Sequence, residues 1–259
     1  MIYFIIAGIV FMGLGGGLFY GRSRSLGKAL DIKYYETSKV KELVETYQSI
    51  RQELGVGNYS GTIVELSGVG HSDSPLIAEF SRRPSLYYET SVVREYEVTE
   101  QQRDKDGNYR TVTSRRSETV SNNSQYIPFY LDDNSGAKIM VDMKGAKKDL
   151  VQSHNRFSPE PPQGFSLNFG SGGSKTIGYR YQEKIIPADV RLYVLGELSD
   201  RSGELSVVKP SEKDKYFIVS TKSEEEIVKS AESAALWQKI GAIASILVGV
   251  GLVVAAFFQ

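Results

Sequence analysis

Residues 68 to 76 read GVGHSDSPL and bring His71 beside Ser72, Asp73 and Ser74. These are the residue types of a serine hydrolase, in which a histidine takes the serine's proton and an acid orients the histidine. The chain has only two histidines, His71 and His154, so few side chains could serve as that base. A triad needs groups that converge from separate parts of a fold, and adjacent residues point in different directions. GHSDS also lacks the G-x-S-x-G elbow with its strand-turn-helix setting. Ser72, Asp73 and Pro75 are equally the residues of a polar turn, where they cap backbone groups and fix φ. The sequence favours the turn and keeps the hydrolase as its rival. GSGGSK, residues 170 to 175, has the wrong spacing for a phosphate-binding loop and precedes a strand rather than a helix, so it reads as a flexible loop.

Composition narrows the chemistry further. There is no cysteine, which excludes disulfides, thiolate zinc sites and cysteine nucleophiles. No metal and no cofactor is expected. Lysine plus arginine and aspartate plus glutamate both number 31, so the chain lacks the basic footprint of a nucleic-acid binder.

Both ends are strongly apolar. Met1 to Tyr20 and Ile240 to Phe258 contain no charged residue. A helix needs roughly 20 apolar residues to cross a bilayer. The first run has no basic residues ahead of it and no clean small-x-small cleavage site, so it reads as an uncleaved anchor rather than a signal peptide. Trp237 and Lys239 stand where an interfacial anchor belongs. Arg22, Arg24 and Lys28 follow the first span, and Lys229 and Lys239 lie at the second, which places the middle of the chain in the cytoplasm by flanking charge. Gly13, Gly17 and Gly21 have the small-xxx-small spacing that lets helices pack closely, against the second span or in a homo-oligomer.

The segments between the spans must position any site. Residues 22–58 hold a membrane-proximal amphipathic helix, with Thr37 or Ser38 as its cap and Val40, Leu43, Val44, Tyr47, Ile50 and Leu54 at helical spacing. From Tyr59 the period changes to two. LYYETSVVREYEV puts Leu86, Tyr88, Thr90, Val92, Tyr96 and Val98 on one face, with Arg94 breaking the pattern. Asp106-Gly107 then signals a hairpin whose return strand is polar on both faces. Arg94, Arg115 and Arg116 on that hairpin are the candidate partner-binding residues. YIPFYLDD and AKIMVDM form a second hairpin. Residues 143–177, rich in Gly, Ser, Pro and Asn, read as a flexible loop. Four short strands follow, and Gly196 within YVLGEL suggests a bulge or a close approach. Ser223 caps a last helix that runs through EEEIVKSAESAALW into the second span. The fold class is therefore an α+β membrane protein: two transmembrane helices, 1–21 and within 223–259, flank a β-rich sandwich or small barrel over 59–222, with one packed amphipathic helix.

The runs SPLIAEFSRRPSLYYETSVV, PFYLDDNSGAKIMVD and GYRYQEKIIPADVRLYVLGELSDRSGELSVVKP, in this order between two spans, resemble the GIDE family, whose eukaryotic members are MULAN-type mitochondrial ubiquitin ligases. The pattern E-x-x-x-P-x-x-x-x-LYVLGEL, Glu183 through Leu198, is its most specific part. The resemblance implies a beside-a-membrane domain, and it makes Ser74, Pro75 and Leu76 a structural connection into the R-P-x-x-Y-Y strand, where Ser85 stands in place of a frequent cysteine. In mitochondrial members that domain faces the intermembrane space, whereas the flanking charge here favours the cytoplasm. The ligases carry a RING after the second span, and its two zinc ions need eight cysteine or histidine ligands. This sequence holds no cysteine and two histidines, so the expectation is a RING-less, prokaryotic member. It would act as a membrane-anchored adaptor or scaffold for an unidentified protein partner, or as a ligase component that takes its catalytic module from another chain.

Overall fold

The computed structural model describes residues 2–55, 59–103, 107–162 and 174–258. The chain opens with α1 (Ile2–Tyr34), 33 residues long, and ends with α3 (Glu224–Ala256), also 33 residues. Each is long and apolar enough to cross a membrane by length and composition. The first helix does not stop at residue 21 as expected. Residues 22–34 contain no proline and include Leu26, Ala29 and Leu30, which propagate a helix well, so the charged stretch continues the apolar one. The two helices lie antiparallel against each other. They approach closely at Gly8 and Gly249: a Cβ on either would meet the other's carbonyl oxygen at 2.7 Å. At Gly15 a Cβ would meet the Ala242 carbonyl at 3.0 Å. Of the contacts expected for Gly13, Gly17 and Gly21, the one with the second span is corrected for Gly13 and Gly17. Gly13 and Gly17 face away, with nothing within 4 Å of a built Cβ, and Gly21 sits beside the Gln238 side chain at 3.3 Å.

The amphipathic helix is α2 (Val40–Leu54). Its cap is not Thr37 or Ser38. The N-cap residue is Lys39, which makes no side-chain cap bond. A distant turn supplies the acceptors instead: Val40 N–H donates to Asp133 Oδ2 and Lys41 N–H to Ser135 Oγ, both at 3.0 Å. These satisfy two of the donors that every helix start leaves open. Val40 and Tyr47 are buried in the main core, with Leu43 and Val44 packed against it, and Gly55 ends the helix with φ +75°.

Period-two sequence becomes strand throughout the middle. The first sheet contains β1 (Ser60–His71), β5 (Phe129–Asp132), β6 (Lys138–Val141), β7 (Lys147–Asp149), β10 (Val190–Ser199), β11 (Ser206–Val208) and β12 (Ile218–Ser220). The pairings β1–β5, β5–β6, β6–β11, β11–β10 and β10–β1 close a ring, so the core is barrel-like. Along β10 one edge belongs to β1, while the other is shared between β11 at Glu197–Ser199 and β12 at Tyr193–Leu195. This explains LYVLGEL. Leu192, Val194 and Leu198 point into the barrel core with Leu66, Leu131, Val141 and Val207. Tyr193 and Leu195 point to the opposite face, where Ala29 and Ile32 of α1 and Ile227, Val228 and Ala231 of α3 cover them. Gly196 makes a close approach rather than a bulge: a Cβ there would meet Val207 at 2.7 Å and Phe217 at 3.0 Å. The helix pair is thus docked on the barrel and not merely tethered to it. Ser223 does cap α3, through a full capping box with Glu226.

The second sheet has β2 (Leu76–Ile77), β3 (Pro84–Arg103), β4 (Tyr109–Tyr126), β8 (Val151–Ser158) and β9 (Ser174–Pro187). β3 pairs with β4 on one side and β9 on the other, and β8 pairs with β9. The hairpin expected at Asp106-Gly107 is the β3–β4 arm, closing at Arg103 opposite Tyr109 with Gly107 at φ +89°. β4 is largely exposed, as its polar sequence requires. The loop expectation for 143–177 is corrected in part: β7 and β8 fall inside it, and β9 begins at Ser174. VQSHNRFS is a polar edge strand, which composition alone disguises as loop. Residues 170–173 of GSGGSK lie outside the described residues.

Candidate functional site

His71 ends β1, and its two ring nitrogens face carboxylates: Nδ1 lies 2.7 Å from Asp189 and Nε2 3.3 Å from Asp73. The bond to Asp189, helped by Asp73, raises the imidazole pKa above its usual value. Ser72 Oγ accepts from Ser74 N–H at 3.3 Å, which is turn chemistry. The stretch is a turn. His154 sits on β8 with its ring 5.6 Å from that of Phe80. Among the described residues no group of His, Asp and Glu could hold a metal.

The three arginines separate. Arg94 does not break the alternation; it occupies a buried-face position between Val92 and Tyr96, 2% exposed. Its Nη1 donates to Glu118 of β4 and its Nε to Thr176 of β9, both at 2.8 Å, while the guanidinium lies 4.5 Å from the Tyr96 ring centre. It clamps three strands at the root of the arm, so it is withdrawn from the candidate surface. Arg115 and Arg116 remain on it. They pair with Glu97 at 3.4 Å and Glu100 at 2.8 Å, with side chains 80% and 50% exposed.

One face of the second sheet carries a polar trough. Tyr87, Glu89 and Ser91 form its floor, Asn122 and Ser124 one wall, and Lys184 the other, around a cavity of about 530 Å³. A second hollow of about 490 Å³ follows along β3, lined by Glu95, Arg115 and Arg180. Cross-strand ion pairs Glu95–Arg180 and Glu97–Arg115 line this face.

The residues that sequence reasoning missed are buried carboxylates. Glu183, fully buried, accepts from Phe80 N–H at 2.6 Å, Ser81 N–H at 3.1 Å and Ser153 Oγ at 2.7 Å. Burial pushes its pKa up, but the bonds from Ser153, Ser81 and Phe80 outweigh it and hold the carboxyl below its usual value. Glu197 takes Ser211 N–H at 2.7 Å and Ser211 Oγ at 3.1 Å. Glu65 lies where β1 meets the α1–α2 link. It accepts from Thr37 Oγ1 at 2.7 Å and from the Tyr193 hydroxyl at 2.8 Å, and Ser38 N–H binds its carbonyl at 2.9 Å. Burial raises the Glu65 pKa despite those donors, with Glu224 and Glu225 adding to the rise. Both Glu183 and Glu197 stand in the motif quoted above, which was the available signal. They tie the sheets to their loops.

The architecture is a small barrel docked under an apolar helix pair, with a long polar arm and no catalytic constellation among the described residues. A family model described as "GIDE: E3 Ubiquitin ligase" matches residues 97–255. The chain belongs to the GIDE family. It is also similar to E3 ubiquitin-protein ligase SPL1 of Arabidopsis thaliana, 26% identical over 208 residues. That match covers 77% of this chain and 56% of the plant protein, so the chain spans little more than half of its relative's length. No solved structure matches it.

Proposed function

We propose that the chain is a membrane-anchored adaptor of a ubiquitin-ligase-like system, which presents its β3–β4 arm to a protein partner. The observation that carries this reading is the docking of Ala29, Ile32, Ile227, Val228 and Ala231 onto Tyr193, Leu195 and Ile218. A flexible tether would let the domain wander, whereas a docked helix pair holds a binding surface at a set distance from the bilayer. From Arg24 to Tyr34 the helix rises about 15 Å, at roughly 1.5 Å per residue. The membrane boundary would fall near Arg22, Arg24, Trp237 and Lys239, with the bilayer contacting the helices beyond them. The β domain would lie in the cytoplasm of a bacterial cell, by the charge flanking both helices. Kinship with a ligase supports the second reading, in which a partner chain supplies catalysis, since these residues contain no cysteine.

The chain's lack of cysteine makes one experiment test both place and role. A Thr111→Cys variant, with its probe position exposed on the arm, is labelled with a membrane-impermeant maleimide carrying a photo-crosslinker. Labelling in inverted vesicles but not intact cells, followed by capture of a recurrent protein, is the expected result. Labelling in intact cells overturns the cytoplasmic placement. Capture of lipid alone overturns the adaptor.

A further inference from the structure

β4 is 18 residues long, and among the described residues it pairs only with β3. Its outer edge therefore presents backbone donors and acceptors to solvent. Proteins guard such edges with proline, with charged side chains, lysine above all, or with β-bulges. β4 has no proline and no lysine, and its central charges are Arg115, Arg116 and Glu118.

We propose that the outer edge of β4 pairs antiparallel with β4 of a second copy of this chain, with Ser117 facing Ser117 across a two-fold axis. The inference rests on the reading of the arm as a contact surface and names its partner. Opposed residues of an antiparallel pair share a face and lie about 5 Å apart. In this register Arg116 of each copy faces Glu118 of the other, so symmetry makes the complementary pair twice. Glu118 already accepts from the buried Arg94 through Oε1 at 2.8 Å, and the second guanidinium would extend that pair into a network between copies. Arg116 is free to turn, because its present bond to Glu100 joins two half-exposed side chains and such pairs contribute little.

The charges also fix the register. Moving the axis to residue 116 sets Arg116 against Arg116, and moving it to residue 118 sets Glu118 against Glu118. Like charges directly opposed are unfavourable. A slip of one residue turns each strand's faces over and loses the match. The bulge at Val120, where Val92 and Val93 face Ser121 and Thr119, limits the straight ladder to the stretch around Arg115–Thr119. So short a ladder is weak between free molecules. Confinement of both copies to one membrane raises their effective concentration and offsets this.

The test uses the full chain in membranes, with single cysteines at Thr113, Ser117 or Thr119, under mild oxidation. Only residue 117 would face its own copy. Residue 119 would sit about 14 Å from its counterpart along the strand, at about 3.4 Å per residue. Disulfides do not bridge such gaps. Ser117→Cys should give dimer at least about tenfold above the other two positions, and Arg116→Glu added to it should cut that yield by about tenfold. Equal yields at all three positions, or no dimer at Ser117→Cys, overturn the pairing. If Ser117→Cys stays monomeric while the Thr111→Cys probe captures another protein, self-pairing fails and the adaptor stands. If neither captures anything, both readings fail.

Discussion

Glu183 and Glu65 are both carboxylates buried in a β domain, yet the protein pushes their proton affinities in opposite directions. At Glu183, two backbone N–H groups and a hydroxyl converge on the oxygens. These fixed donors favour the ionised form more than burial opposes it. At Glu65 the donors are two hydroxyls, from Thr37 and Tyr193, and the acidic start of α3 is near. Burial wins there. The number and kind of donors, and the sign of nearby charge, decide which way a buried acid's proton affinity moves, and so separate the staple at Glu183 from the joint at Glu65. The staple sits at the base of the second sheet. The joint sits where the α1–α2 link and the start of α3 meet the barrel.

Removing the staple should have the largest effect. Glu183→Leu strands the N–H groups of Phe80 and Ser81 inside the fold, each at a cost of about 1–3 kcal/mol, for a loss of roughly 3–5 kcal/mol. Urea unfolding of the detergent-solubilised chain measures this, and a loss under about 1 kcal/mol would contradict the role assigned to Glu183.

Thinning the joint should cost less and depend on pH. Thr37→Val removes one of the two hydroxyl donors, with an expected loss of about 1 kcal/mol at neutral pH. The donor stabilises the ionised carboxylate, so the loss should shrink as acid protonates Glu65. A loss that grows in acid would show that Thr37 does not act through the carboxylate.

The smallest effect is a slope. Glu65 has a folded pKa above the usual 4.5, so the folded state binds its proton more tightly than the unfolded state. Its contribution to stability is full below 4.5 and fades as pH rises through the folded value. Glu183, held below 4.5, behaves oppositely: its contribution is present above that value and fades as pH falls through the folded one. Glu65→Gln should therefore flatten the decline in melting temperature above pH 4.5 and leave the acid limb intact. An unchanged profile above that pH would remove Glu65 as its source.

Much of this architecture was legible from period and punctuation. The β3–β4 hairpin followed from alternation and a turn dipeptide, and the α3 cap from Ser223. The two apolar ends declared themselves by length. What stayed hidden depended on distant partners. Nothing near Val40 announces that Asp133, 93 residues later, caps its helix. Spacing alone cannot tell which glycines of α1 meet α3, because Gly8 and Gly13 are equally small and differ only in the side they face. Arg94 misled for the same reason: it reads as surface until Glu118 and Thr176 are brought to it. Glu183 carried a signal, its place in the motif, without any sign that its task is structural.

The order of the chain sets a timetable for its making. α1 is complete at residue 34, and α3 does not begin until residue 224. At roughly 5–20 residues per second, the ribosome leaves the first apolar helix alone for about 10–40 s. Throughout that interval the glycine face of α1 has no mate, and the outer side of β10 has no cover from α3. The barrel cannot close early either, since β1 must wait for β10. α3 thus does two things at once late in synthesis: it mates with the glycine face of α1 and covers the outer side of β10.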